Sequence, residues 1–66
     1  MKAVVNGKQE ALPEKMTVSD LLEEKKMRRN RIAVEINRNI VPRADYDRTV
    51  IHDGDVIEVV SFMGGG

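Results

Sequence analysis

The sequence predicts an α+β fold, with one main helix packed on one face of a mixed four- or five-stranded sheet. Three observations predict it. Short apolar runs flank two turn dipeptides, Asn6-Gly7 and Asp53-Gly54. Residues 17–27 carry apolar positions at helical spacing. Residues 31–37 and 56–63 sort onto two faces at period two. One helix has to shield one face of such a sheet, which leaves the other open to water.

The opening "KAVVNGKQEAL" reads as strands over Lys2–Val5 and over residues 8–12. Asn-Gly joins them because both residues accept the positive φ of a type I′ turn. Pro13 ends the second strand, since it has no N–H to donate to a ladder. "TVSDLLEEKKM" reads as the helix. Thr17 is its N-cap, and Asp20, three residues later, makes an acidic version of the capping box. Val18, Leu21, Leu22 and Lys25 share one face, with the stem of Lys25 along its edge. Asp20, Glu23 and Glu24 near the start and Lys25, Lys26, Arg28 and Arg29 after the end complement the helix dipole.

"RIAVEIN" alternates, with Ile32, Val34 and Ile36 toward a core and Ala33, Glu35 and Asn37 away from it. "RNIVPRADY" is a short extended piece stopped by Pro42, followed by an irregular turn to Tyr46. "RTVIHDGDVIEVVSFM" is two runs around Asp53-Gly54, read as a last hairpin, with the final strand running from Asp55 or Val56 to Met63. The expected organisation is one domain over residues 1–63 and a flexible glycine tail over residues 64–66.

Composition narrows the function classes. A chain of 66 residues buries only about 60% of its unfolded surface, too little for a deep enzyme pocket. Eleven basic and eleven acidic residues balance to zero, so no net field steers the chain to nucleic acid or a membrane. The absence of cysteine excludes disulfides, thiolate zinc sites and a thiol nucleophile. His52 is the single histidine and is read as a surface residue before a turn, since one imidazole alone makes neither a triad nor a metal site. No apolar run can span a bilayer and no signal-peptide pattern opens the chain, so the expected location is the cytoplasm. The basic run "KKMRRNR" is either a solvated helix end or a nucleic-acid patch. Without interleaved aromatic residues, the first is favoured.

Two features point to function. On the last strand Glu58, Val60 and Phe62 share a face opposite Ile57, Val59 and Ser61. A charged Glu58 places its face in water. Val4 points the same way if Ala3 and Val5 point to the core. The expected partner-binding patch is Val4, Glu58, Val60, Phe62 and Met63; the alternative is a small secondary core or scattered surface apolars. The second feature is the ending "GGG", Gly64, Gly65 and Gly66. A glycine tail is thin enough to thread a channel that would reject side chains, unless it is only a frayed end or a cloning remnant. Its terminal carboxylate is ionised at neutral pH and is a nucleophile for the α-phosphate of ATP. The chain has no phosphate-cradling loop of its own, so a partner would have to activate that carboxylate.

Taken together, "VNG", "TVSDLL", "AVEIN", "IVPRADY", "DGDVIEVV" and the terminal "GGG" resemble the ThiS family, the sulfur carrier proteins of thiamin biosynthesis, along the whole chain. The resemblance implies the ubiquitin-like β-grasp fold and a carrier rather than an enzyme. It implies that an E1-like, ThiF-like adenylyltransferase uses ATP and Mg to adenylate the Gly66 carboxylate, the carrier itself binding no cofactor. A persulfide sulfur donor then leaves a thiocarboxylate on Gly66, and a ThiG-like thiazole synthase takes that sulfur into the thiazole ring. Gly65 completes the required diglycine and Gly64 extends it. The run "KKMRRNRIAVE" is more basic than the family pattern, and Tyr46 stands where the family often has tryptophan or another aromatic. The small subunit of molybdopterin synthase is the nearest alternative, sharing "DGD" and a diglycine end, although "IVPR" favours the thiamin branch. A ubiquitin-like protein modifier and a passive β-grasp binding module are the other classes.

Overall fold

The structure is a computed structural model that describes residues 1–62. The elements are β1 (Lys2–Val5), β2 (Lys8–Ala11), α1 (Val18–Glu24), β3 (Ile32–Ile36), β4 (Asn39–Val41) and β5 (Val56–Ser61), with 3-10 turns at Arg29–Arg31 and Arg43–Asp45. The sheet order is β2-β1-β5-β3-β4. β5 runs parallel to β1 and antiparallel to β3, so the last strand occupies the middle of the sheet.

Local chemistry accounts for the turns. Val5 pairs with Lys8 across a two-residue loop in which Asn6 and Gly7 have φ of 50° and 82°, the left-handed pair a type I′ turn requires. β3 and β4 are joined in the same way by Asn37 and Arg38, at φ of 52° and 71°. The expectation of a strand through Asn37 is corrected accordingly: Asn37 is a turn residue. Its carboxamide oxygen instead accepts from Val56 N at 2.9 Å, and its Nδ2 donates to Asp55 Oδ1 at 3.0 Å.

The helix carries the full capping box. Asp20 N donates to Thr17 Oγ1 and Thr17 N donates to Asp20 Oδ2, both at 3.1 Å, so two of the first-turn donors are satisfied. α1 is shorter than the expected 17–27. It stops at Glu24 because Lys26 enters the left-handed region at φ 57°. Met27 N then donates to Leu22 O at 2.9 Å and Lys26 N to Glu23 O at 3.1 Å, the two bonds of a Schellman ending. The start of α1 is clamped from outside: Val18 N donates to Thr49 O at 2.9 Å and Ser19 N to Tyr46 O at 3.0 Å.

That clamp corrects the expected last hairpin. Residues 48–52 are not a strand; only Val50 forms an isolated bridge, to Thr17. Asp53-Gly54 still turns the chain, with Gly54 at φ 87°, but it hands β5 to β1. Gly54 N donates to Lys2 O and Lys2 N to Asp53 Oδ1, both at 2.7 Å. β2 ends at Ala11 instead of residue 12, and β5 at Ser61 instead of Met63, which lies outside the described residues.

The core lies between the helix and one sheet face. Tyr46, Leu21, Ile51, Ile57, Val18 and Val34 are its largest fully buried side chains, and a buried side chain of this size contributes about 1.5–3 kcal/mol. Tyr46, read from the sequence as the end of an irregular turn and as standing where the resembled family often has an aromatic, is 2% exposed. The Arg29 guanidinium lies 5.4 Å from its ring centroid, within cation–π range.

Candidate functional site

The uncovered sheet face is built by alternation and register. Ala3, Val5, Ile57, Val59, Ile32 and Val34 are buried on the helix side, so their neighbours in each strand point the other way. Val4 is registered with Val56, Glu58 with Glu35, and Val60 with Ala33; Ile40 on β4 is registered with Glu35. Val60 is 54% exposed, Val56 43% and Ile40 74%.

Phe62 follows β5 and is 56% exposed. Its N–H donates to Arg31 O at 2.8 Å, so pairing with the segment before β3 extends to this residue. Glu58, Val60 and Phe62 thus follow one another on the open face toward the end of β5, whereas Val4, half-buried, lies beside Val56 at the start of that strand. They do not form a secondary core, since three of the four are exposed. Met63 and the tail residues Gly64, Gly65 and Gly66 lie outside the described residues.

Sequence reasoning left Val56 and Ile40 out of this face and did not set Glu35 beside Glu58. Val56 has the same parity as Glu58 and Val60 and was readable from β5 alone. Glu35 was assigned to the outward face of its strand, but its position opposite Glu58 is a register fact that alternation does not contain.

The other side of the molecule offers little chemistry. Beside α1 an open cavity of about 190 Å³ is lined by Ser19, Leu22, Glu23, Met27, Arg29 and Asp47, below the usual size of small-molecule sites. The Ser19 hydroxyl hydrogen bonds Asp47, and Arg29 Nη1 lies 3.2 Å from Asp47 Oδ1. The Ser19 hydrogen bond first, then the Arg29 hydrogen bond and charge, hold the Asp47 carboxyl below its ordinary value. Arg29 Nη2 also donates to Arg43 O at 3.3 Å.

The basic run is partly absorbed by the fold. Lys25 Nζ reaches both carboxylate oxygens of Glu10, at 3.0 and 3.1 Å, and Arg29 is held by Asp47 and Tyr46, leaving Lys26, Arg28 and Arg31 exposed. His52 is exposed, with Nδ1 4.0 Å from Asp55 Oδ2. Among the described residues no group of three or more His, Cys, Asp or Glu could hold a metal ion. No helix among them is long and apolar enough to cross a membrane.

Comparison with known proteins fits this geometry. The pattern of the ThiS family matches residues 2–66. A thiazole synthase of Paramagnetospirillum magneticum is 42% identical over 66 residues, all of this chain and 20% of that protein. This chain thus spans about a fifth of the length of that relative. The sulfur carrier protein ThiS of Bacillus subtilis is 38% identical over 50 residues, covering 76% of each chain. The crystal structure of the thiamine biosynthesis protein ThiS of Geobacter metallireducens superposes with a TM-score of 0.85 at 36% identity, covering 100% of both chains. The five-stranded mixed sheet with one helix is therefore the ubiquitin-like β-grasp fold. The same matches favour the thiamin branch over the molybdopterin one. With the family pattern running from Lys2 to Gly66 and the fold agreeing over the full chain, the protein belongs to the ThiS family.

Proposed function

We propose that this chain is a sulfur carrier of thiamin biosynthesis whose working group is the carboxylate of Gly66. The observation that carries the reading is the family match through the glycine tail. The geometry supports it: β5, the central strand, carries the exposed Val60 near its end and is followed by the exposed Phe62, and it is the strand that leads in sequence to the tail. A glycine tail supplies reach without side chains. The fold supplies a surface by which a partner enzyme holds that tail in place.

The chemistry divides between the carrier and its partners. A carboxylate oxygen of Gly66 attacks the α-phosphorus of ATP on a ThiF-like adenylyltransferase, and pyrophosphate leaves. The terminal sulfur of a persulfide then attacks the acyl carbon and AMP leaves, giving an acyl disulfide. A second thiol cleaves that disulfide and leaves the thiocarboxylate. The partner enzyme supplies ATP, Mg and the catalytic groups, and the carrier supplies the nucleophile. The full-length matches to part of two thiazole synthases support a ThiG-like thiazole synthase as the acceptor.

Intact mass after incubation with the cognate adenylyltransferase, Mg-ATP and a persulfide donor tests the reading. Exchange of one oxygen for sulfur at Gly66 is the expected result. Attachment to lysines of other proteins would identify a modifier instead, and an unchanged mass with an active partner would reject both.

A further inference from the structure

Two like charges face one another on the open side of the sheet. Glu35 on β3 is the direct cross-strand partner of Glu58 on β5. Side chains so placed have Cβ atoms about 5 Å apart, and like charges there destabilise a sheet. Neither carboxylate has an ion pair or side-chain hydrogen bond among the described residues. The register supplies no cation either. The flanking positions on this face are Ala33, Val56, Val60 and Ile40. Lys2, the basic residue of this face on β1, lies two residues before Val4, whereas Glu58 lies two residues after Val4's partner Val56.

Other acids of this chain do have partners. Glu10 pairs with Lys25 at 3.0 Å, Asp47 with Arg29 at 3.2 Å and Asp45 with Arg48 at 3.1 Å. Cations equal anions in number, yet the one directly opposed carboxylate pair of the sheet is left unneutralised, ringed by exposed apolar side chains.

We propose that this face docks the adenylyltransferase through a basic side chain, an arginine, that the enzyme sets over the Glu35–Glu58 pair, with apolar side chains closing on Val60, Phe62 and Ile40. The inference rests on the proposed function for the identity of the partner. An arginine suits the position because its planar fork of five donors can engage two carboxylates at once and is weakly hydrated. The apolar surround excludes water and strengthens the contact. The repulsion present in the free carrier is relieved only by a partner that brings the cation, which rejects surfaces lacking one. The enzyme is the occupant because Glu58 lies on the strand that leads to the tail, and a protein that acts on Gly66 must grip the chain there.

The test is direct binding of the full chain to its cognate adenylyltransferase without ATP, by titration calorimetry at low and high salt. The Glu35→Gln/Glu58→Gln double variant is expected to raise Kd about tenfold or more and to flatten its salt dependence. Its thermal midpoint should equal or exceed that of the wild type, because repulsion has been removed. An unchanged Kd, absence of binding by the wild type, or a midpoint lower by several degrees would overturn the inference. So would sedimentation of the free chain as a dimer that the double variant dissolves, which would assign the face to a second copy. If binding depends on the pair but Gly66 is never adenylated, the proposed function fails and the docking inference stands.

Discussion

The carboxamide oxygen of Asn6 accepts a hydrogen bond from the backbone N–H of Val59 at 2.7 Å. The registered pairing of β1 with β5 ends at Val5 and Ile57. Asn6 N still donates to Ile57 O at 2.9 Å, but its own carbonyl has turned away with φ at 50°. The side chain supplies the missing acceptor and extends the parallel ladder by one step. Asn6 therefore holds a turn conformation and pairs the central strand just before Val60 and Phe62.

Replacing Asn6 by Gly isolates that hydrogen bond, because glycine keeps the left-handed φ. Val59 N–H would be left without a protein acceptor in a part-buried place, at a cost of about 1–3 kcal/mol. Denaturant unfolding measures the loss, and hydrogen exchange should show the Val59 amide among the most accelerated. An amide as protected as in the wild type would show that the ladder does not need the side chain.

Lys26 presents the opposite case, a residue in a conformation it does not favour. At φ 57° it occupies the C′ position of the Schellman ending, where glycine is the usual occupant. Lys26→Gly is expected to stabilise the fold by about 0.5–1 kcal/mol by removing the Cβ strain. Lys26→Ala keeps the strain and should give no gain. Urea midpoints of the two variants separate the conformational effect from loss of the charge.

These two residues also show what the sequence makes legible. Asn6-Gly7 announces its hairpin because both residue types favour positive φ. Asn37-Arg38 makes the same kind of turn without a glycine, so that hairpin was hidden. Lys26 hid the helix end for the same reason: no glycine marks it. Thr17 and Asp20 were readable because a capping box is local. The run 48–52 looked like a strand because Val50 and Ile51 are β-branched. Its Thr49 carbonyl instead accepts from Val18 N, the first donor of α1, and its Ile51 N–H donates to Met16 O, a long-range use that no local pattern encodes. On the candidate face, alternation identified Glu58, Val60 and Phe62, and only register brought Glu35 and Ile40 beside them.

Acid should loosen the link between α1 and the loop after Tyr46. The Asp47 carboxyl is held below its ordinary value by Ser19 first and Arg29 second. A depressed folded value means that the unfolded chain binds more protons in acid. The contribution is thus fully present above the ordinary carboxylate value of about 4 and is lost as pH falls through the lowered one. Ser19→Ala should move the Asp47 titration upward and flatten stability against pH on the acid side. NMR titration of the Asp47 carboxyl carbon reads this directly, and an ordinary value in the wild type would contradict it.

The sharpest separation of folding from function lies at Phe62. Its side chain is 56% exposed, and its main contribution to the described fold is a backbone N–H bonded to Arg31 O, which any non-proline residue retains. Phe62→Asp should therefore change stability by no more than about 0.5 kcal/mol. Docking is a different matter. An aromatic anchor at the centre of an interface commonly contributes 2 kcal/mol or more, and an unpaired carboxylate in its place adds a desolvation cost. The carboxylate would also join Glu58 and Glu35 on an already negative face. Under the proposed function, kcat/KM for adenylation should fall about a hundredfold or more, equivalent to roughly 2.7 kcal/mol. Pyrophosphate release against carrier concentration gives that number, and circular dichroism with urea unfolding gives the stability. If the variant unfolds, Phe62 is a core residue and the docking face lies elsewhere. If it is adenylated normally, the enzyme grips the carrier without this aromatic, and the route to Gly66 does not pass over the open sheet.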